Sequence, residues 1–120
     1  MRRLLVVDDE PDMLDFVERV FRREYQVERA LSVEDAIALL AKGSFDVLIT
    51  DQRMPKRSGG ELLAHAAQLQ PGAVRVLLSG YSEPDETMAA ADAHVLKPVD
   101  ADALRQAVAD ALLRREAAAR

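Results

Sequence analysis

Four apolar runs in this 120-residue chain each lead to a side chain that can do chemistry. Leu4–Val7 stops at Asp8-Asp9, Val47–Ile49 is followed closely by Asp51, Val74–Leu78 leads to Ser79-Gly80, and His94–Leu96 leads to Lys97-Pro98. Brought together, these groups would place three carboxylates, one hydroxyl and one ammonium in one pocket. Three packed carboxylates repel, so some must take up protons unless a cation joins them. Hard oxygen ligands with no Cys or His available point to Mg2+, held by one or two carboxylates and several waters. A pocket with that ion, an ammonium, a hydroxyl and free backbone N–H groups near Gly80 suits an incoming phosphoryl group. One carboxylate can then serve as the nucleophile and form an aspartyl phosphate. Asp51 fits that role because it stands alone at its strand end, while Asp8 and Asp9 come as a metal-binding pair. Taken singly, each piece has an ordinary explanation: acids favour a helix N-terminus, Ser79-Gly80 is a common turn pair, and Lys97 suits a solvated surface. Their joint placement carries the inference.

Asp8, Asp51, Ser79 and Lys97 are 43, 28 and 18 positions apart, so only a fold can gather them. The unbroken apolar runs read as strands buried on both faces, and Tyr25–Arg29 alternates weakly as a further strand. Between them lie helical patterns. One starts at Pro11 and Asp12 and carries Leu14, Phe16, Val17, Val20 and Phe21. A second is capped by Ser32, carries Ala36, Ile37, Leu39 and Leu40, and ends at Gly43. A third carries Leu62, Leu63, Ala66 and Leu69 and stops before Pro71-Gly72; a short one is expected over 85–91. The last carries Leu104, Val108 and Leu112 and is expected to fray into Arg114–Arg120. Five strand–helix pairs imply right-handed crossovers and a doubly wound α/β fold. The natural choice is a five-stranded parallel sheet of order 2-1-3-4-5, flavodoxin-like, in three αβα layers. The strand order then reverses between the first and third strands, where ligands bind such sheets. Residues 1–120 read as a single domain with a frayed end over roughly 115–120.

Composition narrows the function classes. Charged residues make up 31% and hydrophobic ones 49%, a globular balance. The absence of Cys excludes disulfides, thiolate metal sites and cysteine nucleophiles. Sixteen basic against 21 acidic residues give a net charge of −5, a poor match for a phosphate backbone, so direct nucleic acid binding is not expected. The apolar runs are far too short for a membrane span, and Met1-Arg2-Arg3 does not open a signal peptide. The expectation is a cytoplasmic domain with no membrane partner.

The same residues carry a family likeness. Asp8-Asp9, Asp51-Gln52-Arg53-Met54-Pro55 with Gly59, Ser79-Gly80 and Lys97-Pro98 resemble the receiver domain of bacterial two-component response regulators, over nearly the whole chain. That resemblance implies that Asp51 is the phosphoacceptor, charged by a histidine kinase, a phosphotransfer protein or a small acyl phosphate. It implies that Asp9 and Asp51 bind Mg2+ directly with the backbone carbonyl of Arg53, and that Asp8 acts through water. Ser79 would move to bond one phosphoryl oxygen, with Gly80 beside it, and Lys97 would pair with another. A cis peptide bond is implied before Pro98. The output would come from a partner protein or a missing effector domain, and the chain would be a monomer or a phosphorylation-dependent homodimer.

Two departures from the family pattern stand out. The switch position three before the lysine usually holds Tyr or Phe and here is His94, which brings its own titration. Ser79 and Lys97 are 18 residues apart, about one helical turn fewer than usual, so the fourth helix is expected to be short or irregular. Arg53 and Tyr81 flank the pocket and are candidates for slowing hydrolysis of the acyl phosphate. Two rival readings are a small phosphatase with an aspartyl-phosphate intermediate and a constitutive receiver-like binding module. The first needs room for a cap and a second acid placed to activate water; the second would show a lost pocket residue.

Overall fold

The computed structural model describes residues 1–80 and 89–119. Five strands form one sheet: β1 (Arg2–Val7), β2 (Tyr25–Ala30), β3 (Val47–Asp51), β4 (Val74–Ser79) and β5 (Ala93–Leu96). Their order is β2-β1-β3-β4-β5 and every neighbouring pair is parallel, the arrangement expected from the sequence. The helices among the described residues are α1 (Pro11–Phe21), α2 (Val33–Lys42), α3 (Gly59–Leu69) and α4 (Ala101–Ala118). The short helix expected over 85–91 falls largely outside the described residues; Ala89 and Ala90 form a 3₁₀ turn.

The apolar runs are unbroken because successive side chains serve opposite layers. Leu4, Val6, Val47, Ile49, Val76 and Leu78 pack with Leu14, Val17 and Phe21 of α1 and Leu104, Val108 and Ala111 of α4. Leu5, Val7, Leu48 and Leu77 pack on the other side with Val33, Ala36 and Leu40 of α2 and Leu62, Leu63 and Ala66 of α3. A polar substitution anywhere in these runs would therefore disturb one of two cores.

The helix starts follow local chemistry. Pro11 opens α1, where its missing N–H costs nothing. Ser32 Oγ accepts the Asp35 N–H at 3.1 Å to cap α2, and Gly43 ends that helix. At the far end the structure corrects the sequence reading. Fraying was expected from Arg114, yet α4 continues to Ala118. The reason is tertiary: Arg114 donates to the Asp92 carbonyl and Arg115 reaches the Asp92 carboxylate and the Pro71 and Ala73 carbonyls. No helix among the described residues is long and apolar enough to cross a membrane.

Candidate functional site

Strand pairing delivers the reactive groups to one edge of the sheet. Asp51 and Ser79 are the last residues of β3 and β4, one position or more further along than the apolar runs indicated, so their backbones are held by the ladder. Asp8 follows β1 directly and donates its N–H to the Ala30 carbonyl of β2 at 3.1 Å. Lys97 follows β5 and donates its N–H to the Ser79 carbonyl at 2.8 Å. The peptide bond between Lys97 and Pro98 is cis, as the sequence likeness implied.

The carboxylates of Asp8, Asp9 and Asp51 each offer an oxygen within 4.8 Å of the others. Asp8 and Asp51 are buried while Asp9 is exposed. Lys97 Nζ lies 2.7 Å from Asp51 Oδ1. The ammonium thus pairs with one acid of a cluster of three, and the crowding shows in the ionisation of Asp8 and Lys97. Burial is the main influence that pushes the Asp8 carboxyl from 3.8 up to about 6; the Glu10 N–H on its Oδ1 opposes the rise, and Asp51 and Asp9 add to it. For Lys97, burial pulls the ammonium down, but the bond to Asp51 and the charges of Asp51, Asp8 and Glu10 outweigh it and raise its affinity for the proton.

Asp8 Oδ2 is buried with no hydrogen-bond partner among the described residues. An orphaned oxygen on a carboxylate as buried as that of Asp8 is costly, and either a proton or a bound cation relieves it. A cluster of hard oxygens with no softer ligand fits Mg2+. Of the remaining sequence candidates, Ser79 and His94 are brought into contact. Ser79 Oγ is hydrogen-bonded to His94 Nε2 and lies 3.3 Å from the Gly80 carbonyl. His94 itself is exposed on β5, so its ring joins the site through Ser79. Gly80 is exposed, and an added Cβ would meet nothing among the described residues. Arg53 is an exposed residue just past Asp51. Tyr81 lies outside the described residues.

Sequence reasoning assigned no role to Gln52, which is nearly fully buried. Its side-chain carbonyl accepts the Gly60 N–H at 2.8 Å. Ser58, likewise unremarked, caps α3 by accepting the Glu61 N–H at 3.1 Å. A usable signal was present in Ser58-Gly59-Gly60-Glu61, the pattern of a capping box. For Gln52 no local pattern exists.

The comparisons agree with this geometry. The model of the response regulator receiver domain matches residues 4–109. The response regulator protein PilR of Pseudomonas aeruginosa is 34% identical over 95% of this chain and 27% of its own length. A CheY-like receiver domain protein from Methanospirillum hungatei superposes with a TM-score of 0.88 at 29% identity, over 97% of both chains. The response regulator TrrA from Thermotoga maritima, solved in complex with Mg2+ and BeF, gives a TM-score of 0.84 at 32% identity over 93% of this chain and all of that one. The chain spans about a quarter of the length of curated relatives such as PilR.

Proposed function

We propose, for a chain that belongs to the response regulator receiver domain family, that Asp51 is the residue on which its phosphorylation-dependent switch turns. Receiver domains of two-component systems take up a phosphoryl group and bind Mg2+ at an acidic pocket, and the rivals weighed above, a phosphatase and a constitutive module, are not favoured. The observation that carries the assignment is the buried Asp51 carboxylate, bonded to Lys97 and set against Asp8 and Asp9.

The chemistry follows from the charges. An oxygen of Asp51 attacks the phosphorus of a phosphohistidine or a small acyl phosphate. The P–N or P–O bond breaks, and the imidazole or carboxylate leaves with the bonding electrons. Asp9, Asp51 and the Arg53 carbonyl would hold Mg2+ directly, with Asp8 behind a water. Held there, Mg2+ would supply neutralisation of the charge that builds on the transferred oxygens. Lys97 passes from the Asp51 carboxylate to a phosphoryl oxygen, keeping an anionic partner throughout. Ser79 turns from His94 towards another phosphoryl oxygen, helped by the amides at Gly80. That exchange releases the His94 ring on the edge strand and changes the surface that partners see. The exposed Arg53, with Tyr81, would slow the water that hydrolyses the acyl phosphate.

A histidine kinase or a phosphotransfer protein would supply the phosphoryl group. A partner protein, or an output region of the same polypeptide, would read the result. The domain promotes its own phosphorylation and dephosphorylation and does not turn over an outside substrate. Its lack of Cys and its short apolar runs support a cytoplasmic setting. Incubation with acetyl phosphate and Mg2+, followed by intact mass measurement, tests the assignment. The wild type should gain the mass of one phosphoryl group and Asp51→Asn none. Equal labelling of the two would refute it.

A further inference from the structure

α3 begins with N–H groups that have no partner within the helix. Ser58 serves the third of them, at Glu61. Gln52 serves the other two: its backbone carbonyl accepts the Gly59 N–H at 3.0 Å, and its side-chain carbonyl accepts the Gly60 N–H at 2.8 Å. The N–H of Gln52 is bonded to the Leu78 carbonyl of β4 at 2.9 Å. One residue thus ties the end of β3 to its neighbouring strand and to the start of a helix seven residues on. The helix start is pressed against Asp51 itself, since a Cβ on Gly59 would stand 2.0 Å from the Asp51 carbonyl oxygen. Gln52 lies between the buried carboxylate of Asp51 and the carbonyl of Arg53, two of the groups assigned above to the metal.

A buried amide is a poor choice for filling apolar space, because losing its partner costs the desolvation of the group left behind. Here the amide oxygen closes the loop that leaves the site. With the loop closed, Asp51 and the Arg53 carbonyl cannot drift apart as the chain turns into α3. We propose that Gln52 is a positioning residue for the phosphoryl-accepting site, and that its side-chain carbonyl, bonded to Gly60, holds Asp51 and Arg53 in the arrangement that gathers Mg2+. The proposal rests on the reading of Asp51 given above.

The test separates positioning from simple helix capping. Gln52→Met keeps the length of the side chain and removes the acceptor, while Ser58→Ala removes a cap from the same helix turn without touching the residue after Asp51. Mg2+ affinity is measured by calorimetry, and melting temperature is measured without metal. Gln52→Met should bind Mg2+ about tenfold more weakly, whereas Ser58→Ala should bind it within about twofold of the wild type. In the wild type, Mg2+ should shift the Gly60 amide resonance and slow its exchange, a measurement that stands even if Gln52→Met does not fold. The proposal is overturned if both variants lose affinity equally, if Gln52→Met binds as the wild type does, or if the Gly60 amide ignores Mg2+. Failure of the wild type to accept phosphoryl from acetyl phosphate, with the affinity split intact, would instead overturn the Asp51 reading alone.

Discussion

The two edges of the sheet use the same residue types to opposite ends. At the edge where the strands finish, Asp8, Asp9 and Asp51 cluster, Lys97 pairs with Asp51, and Asp8 Oδ2 has no partner among the described residues. At the edge where the strands start, two acids are held by partners on the neighbouring strand. Asp46, just before β3, takes the Arg3 N–H on its carboxylate and gives its own N–H to the Arg3 carbonyl, both at 2.8 Å. Asp92, just before β5, does the same with Arg75, both bonds at 2.7 Å, and also receives Arg115 at 2.9 Å. The repeated device extends a parallel pairing beyond the end of the strand. Arg75 feels the crowding: burial chiefly, then Arg115, lowers its hold on the proton while Asp92 opposes them. One edge is arranged for stability, and the other keeps an excess of negative charge that a cation can resolve.

This contrast breaks cleanly under mutation. The largest effect belongs to the imbalanced edge, where Asp51→Asn should abolish phosphoryl uptake, seen as a single unshifted peak in intact mass spectra. Next comes the satisfied edge. Asp92→Ala takes the carboxylate from Arg115 and leaves the Arg75 N–H without its acceptor, so urea unfolding should show a loss of about 2–3 kcal/mol at unchanged slope. Its rate of phosphorylation per folded molecule should match that of the wild type. An equal loss of rate would mean that the two edges are not independent.

Asp8→Asn sharpens the comparison because it should act in opposite directions on stability and function. Folded Asp8 holds its proton up to about pH 6, whereas the unfolded chain releases it near 3.8. The folded state therefore binds the extra proton between those values, and its stability falls as pH rises through that window. Without metal at pH 7, Asp8→Asn should gain on the order of 2 kcal/mol and bind Mg2+ about tenfold more weakly. Melting curves in a chelator from pH 4 to 7 should show a decline in the wild type that the variant lacks. The smallest effect tests whether every polar group at the functional edge is under strain. Ser32 caps α2 on that edge with a satisfied bond, so Ser32→Ala should lose about 1 kcal/mol and leave Mg2+ affinity alone.

Much of this was readable before any coordinates. Unbroken runs such as Leu4–Val7 can be buried on both faces only between two helical layers, and that alone leads to a parallel sheet. The sheet order then sends the residues after each run to one edge, which is how Asp8, Asp51, Ser79 and Lys97 were gathered on paper. The contact between Ser79 and His94 was not readable, because neighbouring strands meet across 15 residues of intervening chain. The helical end of α4 was misread for a similar reason. Its tail has no apolar pattern, and its order comes from Arg115 reaching Asp92.

What the amino-acid order determined by itself was local: which stretches are too apolar to face water, where helices can begin, and which chemical group stands at the end of each run. Those properties depend on residue type and period, and both are visible along the chain. What only the tertiary structure decided was partnership: that Lys97 meets Asp51, that Asp8, unlike Asp92, has a carboxylate oxygen unpaired among the described residues, and that Gln52 closes on Gly60. Partnership depends on distances of a few ångströms between groups that different elements carry. The same residue type is therefore short of partners at one edge of the sheet and a settled anchor at the other.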